Sequence, residues 1–150
     1  MRILIQRATE ARCRIDGAVF SEIGAGMVVL VGIGHDDTTE DIEWLTKKLV
    51  QLRIFDDEAG VMNLSVQDVE GEVMIISQFT LHAMTKKGNR PSWIKAAPEA
   101  ISKPLYEAFV RSVEQALGKS VAMGSFGADM KIELINDGPV TIWIDSKTRE

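Results

Sequence analysis

The chain has 150 residues, 45% of them hydrophobic and 26% charged, with a formal net charge of −5 at pH 7 and one cysteine, Cys13. That length suits a single domain burying roughly 70% of its unfolded surface, and the lone cysteine excludes an internal disulfide and fits a reducing cytoplasm. No apolar run reaches the ~20 residues of a membrane helix, no leader-like segment opens the sequence, and the acidic balance argues against non-specific nucleic-acid coating while leaving room for a local basic patch.

The start reads as β structure. Arg12 and Arg14 alternate with Cys13 and Ile15, Asp16-Gly17 is a hairpin signal, and Ala18 to Ile23 returns as a strand. Gly24-Ala25-Gly26 interrupts it, and Met27 to Val31 is short and wholly apolar. Thr38 or Thr39 can cap a helix whose apolar positions Ile42, Leu45, Leu49 and Leu52 recur at helical spacing, with acids in the first turn. Asp56 to Gly60 reads as a polar loop. Val73-Met74-Ile75-Ile76 is a buried strand that ends abruptly in the polar Ser77-Gln78-Phe79-Thr80.

Residues 82 to 97 lack periodicity and form a long basic loop carrying Lys86, Lys87, Arg90, Lys95 and Trp93. A second helix places Leu105, Ala108, Phe109, Val113, Ala116 and Leu117 on one face and stops at Gly118. Met130, Ile132 and Leu134 then alternate with Lys131 and Glu133, and Val140 to Ile144 follows the Gly138-Pro139 turn. The fold class expected is α+β: a mainly antiparallel, barrel-like sheet with two packing helices, in one domain over residues 1–150.

The usual nucleophile arrangements are poorly served. Cys13 sits on an early strand facing the same side as Ile15 and is expected in the core. Of the two histidines, His82 is near Ser77 and Thr80, but with nothing placed to orient its ring it is expected to be solvated. His35-Asp36-Asp37 is expected to be a capped loop; no second cluster completes a metal site, and neither a metal nor a cofactor is expected. Gly32-Ile33-Gly34 lacks the third glycine of a dinucleotide fingerprint.

Two readings stand for the strand end. Its hydroxyls cap loop backbone, or backbone N–H groups with Gln78 and Thr80 face a developing oxyanion. The basic loop is either a solvated surface or a phosphate contact with Trp93 available for base stacking, a pairing suited to single-stranded nucleic-acid ends.

The chain resembles the D-aminoacyl-tRNA deacylases along essentially its whole length. Two motifs carry the resemblance, Ser77-Gln78-Phe79-Thr80-Leu81 and Asn136-Asp137-Gly138-Pro139-Val140-Thr141, supported by Ile5-Gln6-Arg7, Asn63-Leu64-Ser65-Val66, Lys87-Gly88-Asn89-Arg90-Pro91-Ser92 and Gly127-Ala128-Asp129-Met130. Trp93 stands where the family commonly has phenylalanine, and Met84 where a small or polar residue is usual.

The resemblance implies a cytoplasmic homodimer with its active site at the subunit interface and the aminoacylated 3′ end of tRNA as partner. It implies a catalytic segment at Ser77, Gln78, Phe79 and Thr80. A cis Gly138-Pro139 would reach into the partner's pocket, braced by Arg7, with Phe126 and Met130 near the pocket wall. The implied reaction is hydrolysis of the ester of D-aminoacyl-tRNA, and of glycyl-tRNA mischarged on the alanine tRNA, with L-amino acids excluded. Thr80 is the nucleophile by motif. No base is visible to activate it, so water assisted by the substrate's own ribose hydroxyl is preferred. The alternative from another class is a non-catalytic nucleic-acid-binding module.

Overall fold

The computed structural model describes residues 1–149. Its frame is β1 (Arg2–Ile15), which turns at Asp16-Gly17 into β2 (Ala18–Ile23) and then β3 (Gly26–Gly32). β2 pairs antiparallel with residues 11–15 of β1 and β3 with residues 2–8, so the two follow one another along one edge of β1. The other edge is taken by β8 (Met130–Asp145), antiparallel along nearly its full length.

On the far side of β3 lie β6 (Glu72–Ser77) and then β7 (Ala122–Met123), both joined in parallel. The sheet is therefore mixed: β1 makes three antiparallel pairings, and the β3–β6 and β6–β7 pairings are parallel. It curls back on itself, with the Ser21 hydroxyl of β2 donating to the Met123 carbonyl of β7 at 2.8 Å. At Gly26 the strands approach so closely that a Cβ would stand 1.8 Å from the Glu72 carbonyl, which only glycine allows.

β3 and β6 are apolar throughout because both faces of the sheet are covered. Met27, Val29, Val31, Val73 and Ile75 face the helices, while Val28, Met74 and Ile76 join Ala8, Ala11 and Cys13 inside the curl. Helix α1 (Thr39–Gln51) buries Ile42, Leu45 and Leu49, as its spacing predicts. Its N-terminus is closed by Asp41, which accepts the Thr38 N–H at 2.8 Å. Helix α2 (Glu99–Leu117) ends at Gly118 in the left-handed region with φ 69°. Its deepest face is Tyr106, Phe109, Val110 and Val113; Ala116, expected on the buried face, is exposed.

Two elements depart from expectation. The polar stretch after α1 is the turn of a small hairpin, β4 (Phe55–Asp56) with β5 (Met62–Leu64). And Asn136–Thr141 does not fold two strands against each other. β8 is one strand, with Gln6 opposite Thr141 and Ala8 opposite Asn136, so residues 137–140 bulge out against Arg7 alone.

Candidate active site

β6 delivers the polar tetrapeptide to one end of the curled sheet. Ser77 still pairs with Val31, and the Gln78 N–H donates to the Val31 carbonyl at 2.7 Å. The backbone then tightens into a 3₁₀ turn over Phe79–His82. Leu81 N–H donates to Gln78 O at 3.3 Å and Ala83 N–H to Thr80 O at 3.0 Å. The first donors of such a turn, Phe79 and Thr80 N–H, fall outside its ladder and find no acceptor among the described residues. Free adjacent N–H groups of this kind suit an oxygen that gains negative charge.

A cavity of about 320 Å³ opens at this turn. Ser77, Gln78 and Phe79 form one side; Val31, Ile76, Phe126, Met130 and Ile132 make the rest largely apolar. Phe126 is held from behind by Tyr106, with ring centroids 5.7 Å apart. The Tyr106 hydroxyl donates to the Ile75 carbonyl at 2.8 Å, and burial drives its ionisation far above the ordinary tyrosine range, so it stays a donor. Sequence reasoning missed Tyr106. Its signal was a lone polar tip on the apolar face of α2.

Thr80 has no base. Its hydroxyl accepts from the Gln78 side-chain amide, and no titratable group among the described residues hydrogen-bonds to it. Asp129 lines the cavity but is exposed and paired with Lys131 at 2.8 Å. Cys13 is fully buried, and burial raises its thiol, which makes it a core residue.

His82 corrects the sequence reading. It is 6% exposed, packed over Gly32 and Gly34, where a Cβ would lie 3.1 and 3.2 Å from its ring. Removal from water holds the imidazole below its ordinary value. Asp37 also sits deeper than a capping loop would: it accepts the Gly34 N–H at 2.7 Å and pairs with the Met1 amino group.

Arg7 lies beneath the bulge of β8. It is 7% exposed, and its Nε donates to the Asp137 carbonyl at 3.2 Å and pairs with the Asp137 carboxylate at 3.1 Å. Its Nη1 donates to Ile54 O at 2.7 Å and meets Asp56 at 3.2 Å. The Gly138–Pro139 peptide is cis, Gly138 has φ 119°, and both residues are exposed. Asn136 bridges the bulge, accepting the Val140 N–H at 3.2 Å and donating to the Thr141 hydroxyl at 2.9 Å. No residue of 136–140 lines the cavity. Within one chain the two motifs face different surroundings.

The basic loop is pinned by a Met84–Ser92 bridge, with reciprocal N–H···O bonds of 2.9 and 3.0 Å. Lys86, Lys87 and Arg90 are exposed. Trp93 packs edge-on against Phe79 at 5.4 Å, which ties the loop to the cavity mouth.

Fold and site together describe a small barrel-like α+β protein with a largely apolar cavity at a 3₁₀ turn whose first N–H groups have no acceptor among the described residues. The chain belongs to the D-Tyr-tRNA(Tyr) deacylase family, which it matches over residues 4–145. It is 60% identical over all 150 residues, the full length of both chains, to the D-aminoacyl-tRNA deacylase of Bacteroides thetaiotaomicron. It is 56% identical over the same full length to that of Chromobacterium violaceum. Among solved structures, the c-Myc DNA unwinding element binding protein superposes with a TM-score of 0.93 at 36% identity, covering 97% of this chain and 98% of that one.

Proposed function

We propose that this protein hydrolyses the ester joining a D-amino acid to the terminal ribose of tRNA, releasing the free D-amino acid and tRNA. The observation that carries the reading is the pair of N–H groups at Phe79 and Thr80 without an acceptor among the described residues, at a cavity whose adjoining Thr80 hydroxyl has no titratable partner among them. Attack on the ester carbonyl puts negative charge on its oxygen, and these donors would hold it, lowering the barrier by ~3 kcal/mol. Water is the nucleophile, and the neighbouring ribose hydroxyl of the substrate takes part in activating it. Collapse of the tetrahedral intermediate expels the ribose oxygen, which leaves protonated.

The site is completed by a second copy of the chain. Exposed Gly138-Pro139 of one subunit enters the cavity of the other, where its carbonyls hold the substrate's amino group and leave no room for an L side chain. Glycine, having no side chain, passes the same filter, which extends the reaction to glycyl-tRNA mischarged on the alanine tRNA. Support for pairing comes from β8, whose outer edge has no strand partner among the described residues and which exposes Ile135 and Trp143 at 56% and 48%. Lys86, Lys87 and Arg90 approach the acceptor-end phosphates. The protein acts in the cytoplasm, where Cys13 stays reduced.

A second reading, a nucleic-acid-binding module without catalysis, is favoured by the likeness to the DNA unwinding element binding protein. Incubation with D-tyrosyl-tRNA separates them. Ester loss above the spontaneous rate supports the hydrolase; tRNA binding with no ester loss supports the module.

A further inference from the structure

His82 is the last residue of the 3₁₀ turn that begins with Phe79 and Thr80, and it is the buried end of that turn. Its ring lies against the Gly32–Gly34 stretch, with Cδ2 toward Gly32 and Cε1 toward Gly34. Nε2, the atom between those two carbons, is buried and has no hydrogen-bond partner among the described residues. Arg2 grips the turn beside it, Nη1 donating to the Leu81 carbonyl at 2.9 Å. The neutral imidazole is the form this place favours: burial outweighs the Gly32 backbone, whose hydrogen bond favours a charged ring, and an added charge would sit near a guanidinium.

We propose that His82 is a positioning residue for deacylation: its neutral ring seats the turn that presents the Phe79 and Thr80 N–H groups, and protonation unseats that turn. This rests on the hydrolase reading above.

The charged groups around the ring do not reverse the sign. Arg2 of β1 and the Met1 amino group just before it oppose a second positive charge; the Gly32 backbone at the end of β3 and Asp37 of the loop before α1 favour it. His35, Asp36, Lys95, Asp145 and Lys147 line the same cleft. Asp37 is already engaged by Gly34 N–H and the Met1 amino group, and Asp145 by Arg2 at 2.8 Å. Burial is the largest influence on the ring and pushes it below its ordinary value. The turn is therefore seated at neutral pH and released as the pH falls below about 6.5.

The test is an NMR titration of the wild-type protein from about pH 7.5 to about pH 4.5, set beside the pH profile of D-tyrosyl-tRNA hydrolysis. The His82 ring is expected to titrate with a midpoint below ~6.5, with the Phe79 and Thr80 amide signals shifting at the same midpoint. The kcat should fall along that curve while KM changes less. His82→Ala should lower kcat at neutral pH by ~10–100-fold, the scale of a mis-set catalytic geometry, and His82→Gln should recover part of it and lack the acid limb. The proposal is overturned if the Phe79 and Thr80 amides stay still while His82 titrates, or if His82→Gln keeps an unchanged acid limb. The wild-type titration decides even if the variants fail to fold. An inactive wild-type at neutral pH would count against the hydrolase reading alone.

Discussion

Thr80 carries the hydroxyl that the motif offers as a nucleophile, yet its oxygen only accepts from Gln78. A hydroxyl without a base is a weak nucleophile at neutral pH, and removing a true one costs several orders of magnitude. Thr80→Ala is therefore expected to keep deacylation of D-tyrosyl-tRNA within ~10-fold of wild type; a loss of ~10³-fold would restore Thr80 as the nucleophile. Asp41 works on stability instead. Burial would raise its carboxyl, but the Lys147 ammonium at 2.7 Å, the Ser146 hydroxyl at 2.6 Å and the Thr38 N–H hold it well below the usual carboxylate range. A depressed carboxyl stabilises the fold above its unfolded value of ~3.9, and that contribution is lost as pH falls through the folded value. Asp41→Asn should cost about 2 kcal/mol at neutral pH by urea unfolding. Its deficit against wild type should shrink below about pH 4; a constant deficit would remove Asp41 from the acid response.

Among the elements, β8 matters most for the proposed shared site because its bulge projects Gly138 and Pro139 over Arg7. A Cβ on Gly138 would lie 2.8 Å from the Val140 side chain and 3.2 Å from Arg7 Nη2, in a left-handed backbone region. Gly138→Ala should thus reshape the loop and lower kcat/KM for D-tyrosyl-tRNA more than ~10-fold, while the far-ultraviolet dichroism stays that of the wild type, since the residue is exposed. Activity within about twofold would show that the loop shape is not needed.

The same strand marks the boundary of what the sequence made readable. The run 73–76 and both helices were legible because burial, periodicity and caps are local signals. Asn136–Thr141 reads as turn chemistry, and whether its flanks pair with each other or with β1 is settled by a strand at the opposite end of the chain. β4 and β5 are too short for any period to register. His82 looked solvated because its cover comes from Gly32, the end of β3, and Gly34 just beyond it, both distant in sequence. At the candidate site, Ser77, Gln78, Phe79, Phe126 and Met130, singled out through motifs, line one cavity, whereas Thr80 is not among its lining residues. Tyr106 and the Phe79–Trp93 contact were not, because both depend on packing between distant segments.

For the whole molecule, the separation of the cavity from Gly138-Pro139 within a chain is what the proposed second copy is invoked to explain. Complementation between two variants tests such pairing. Gly138→Ala spoils the projecting loop, and Met130→Trp fills the cavity, so each homodimer should be inactive. After co-refolding, half the molecules pair one of each, and each mixed pair has one intact site, so activity should return to about a quarter of wild type. A mixture no more active than its parts would place both motifs in one chain's site. The most direct test of the central claim is the rate of ester loss from D-tyrosyl-tRNA against L-tyrosyl-tRNA, measured with the same preparation. The account predicts rapid hydrolysis of the D ester with the L ester decaying only at its spontaneous rate; equal hydrolysis of both, or of neither, would contradict it.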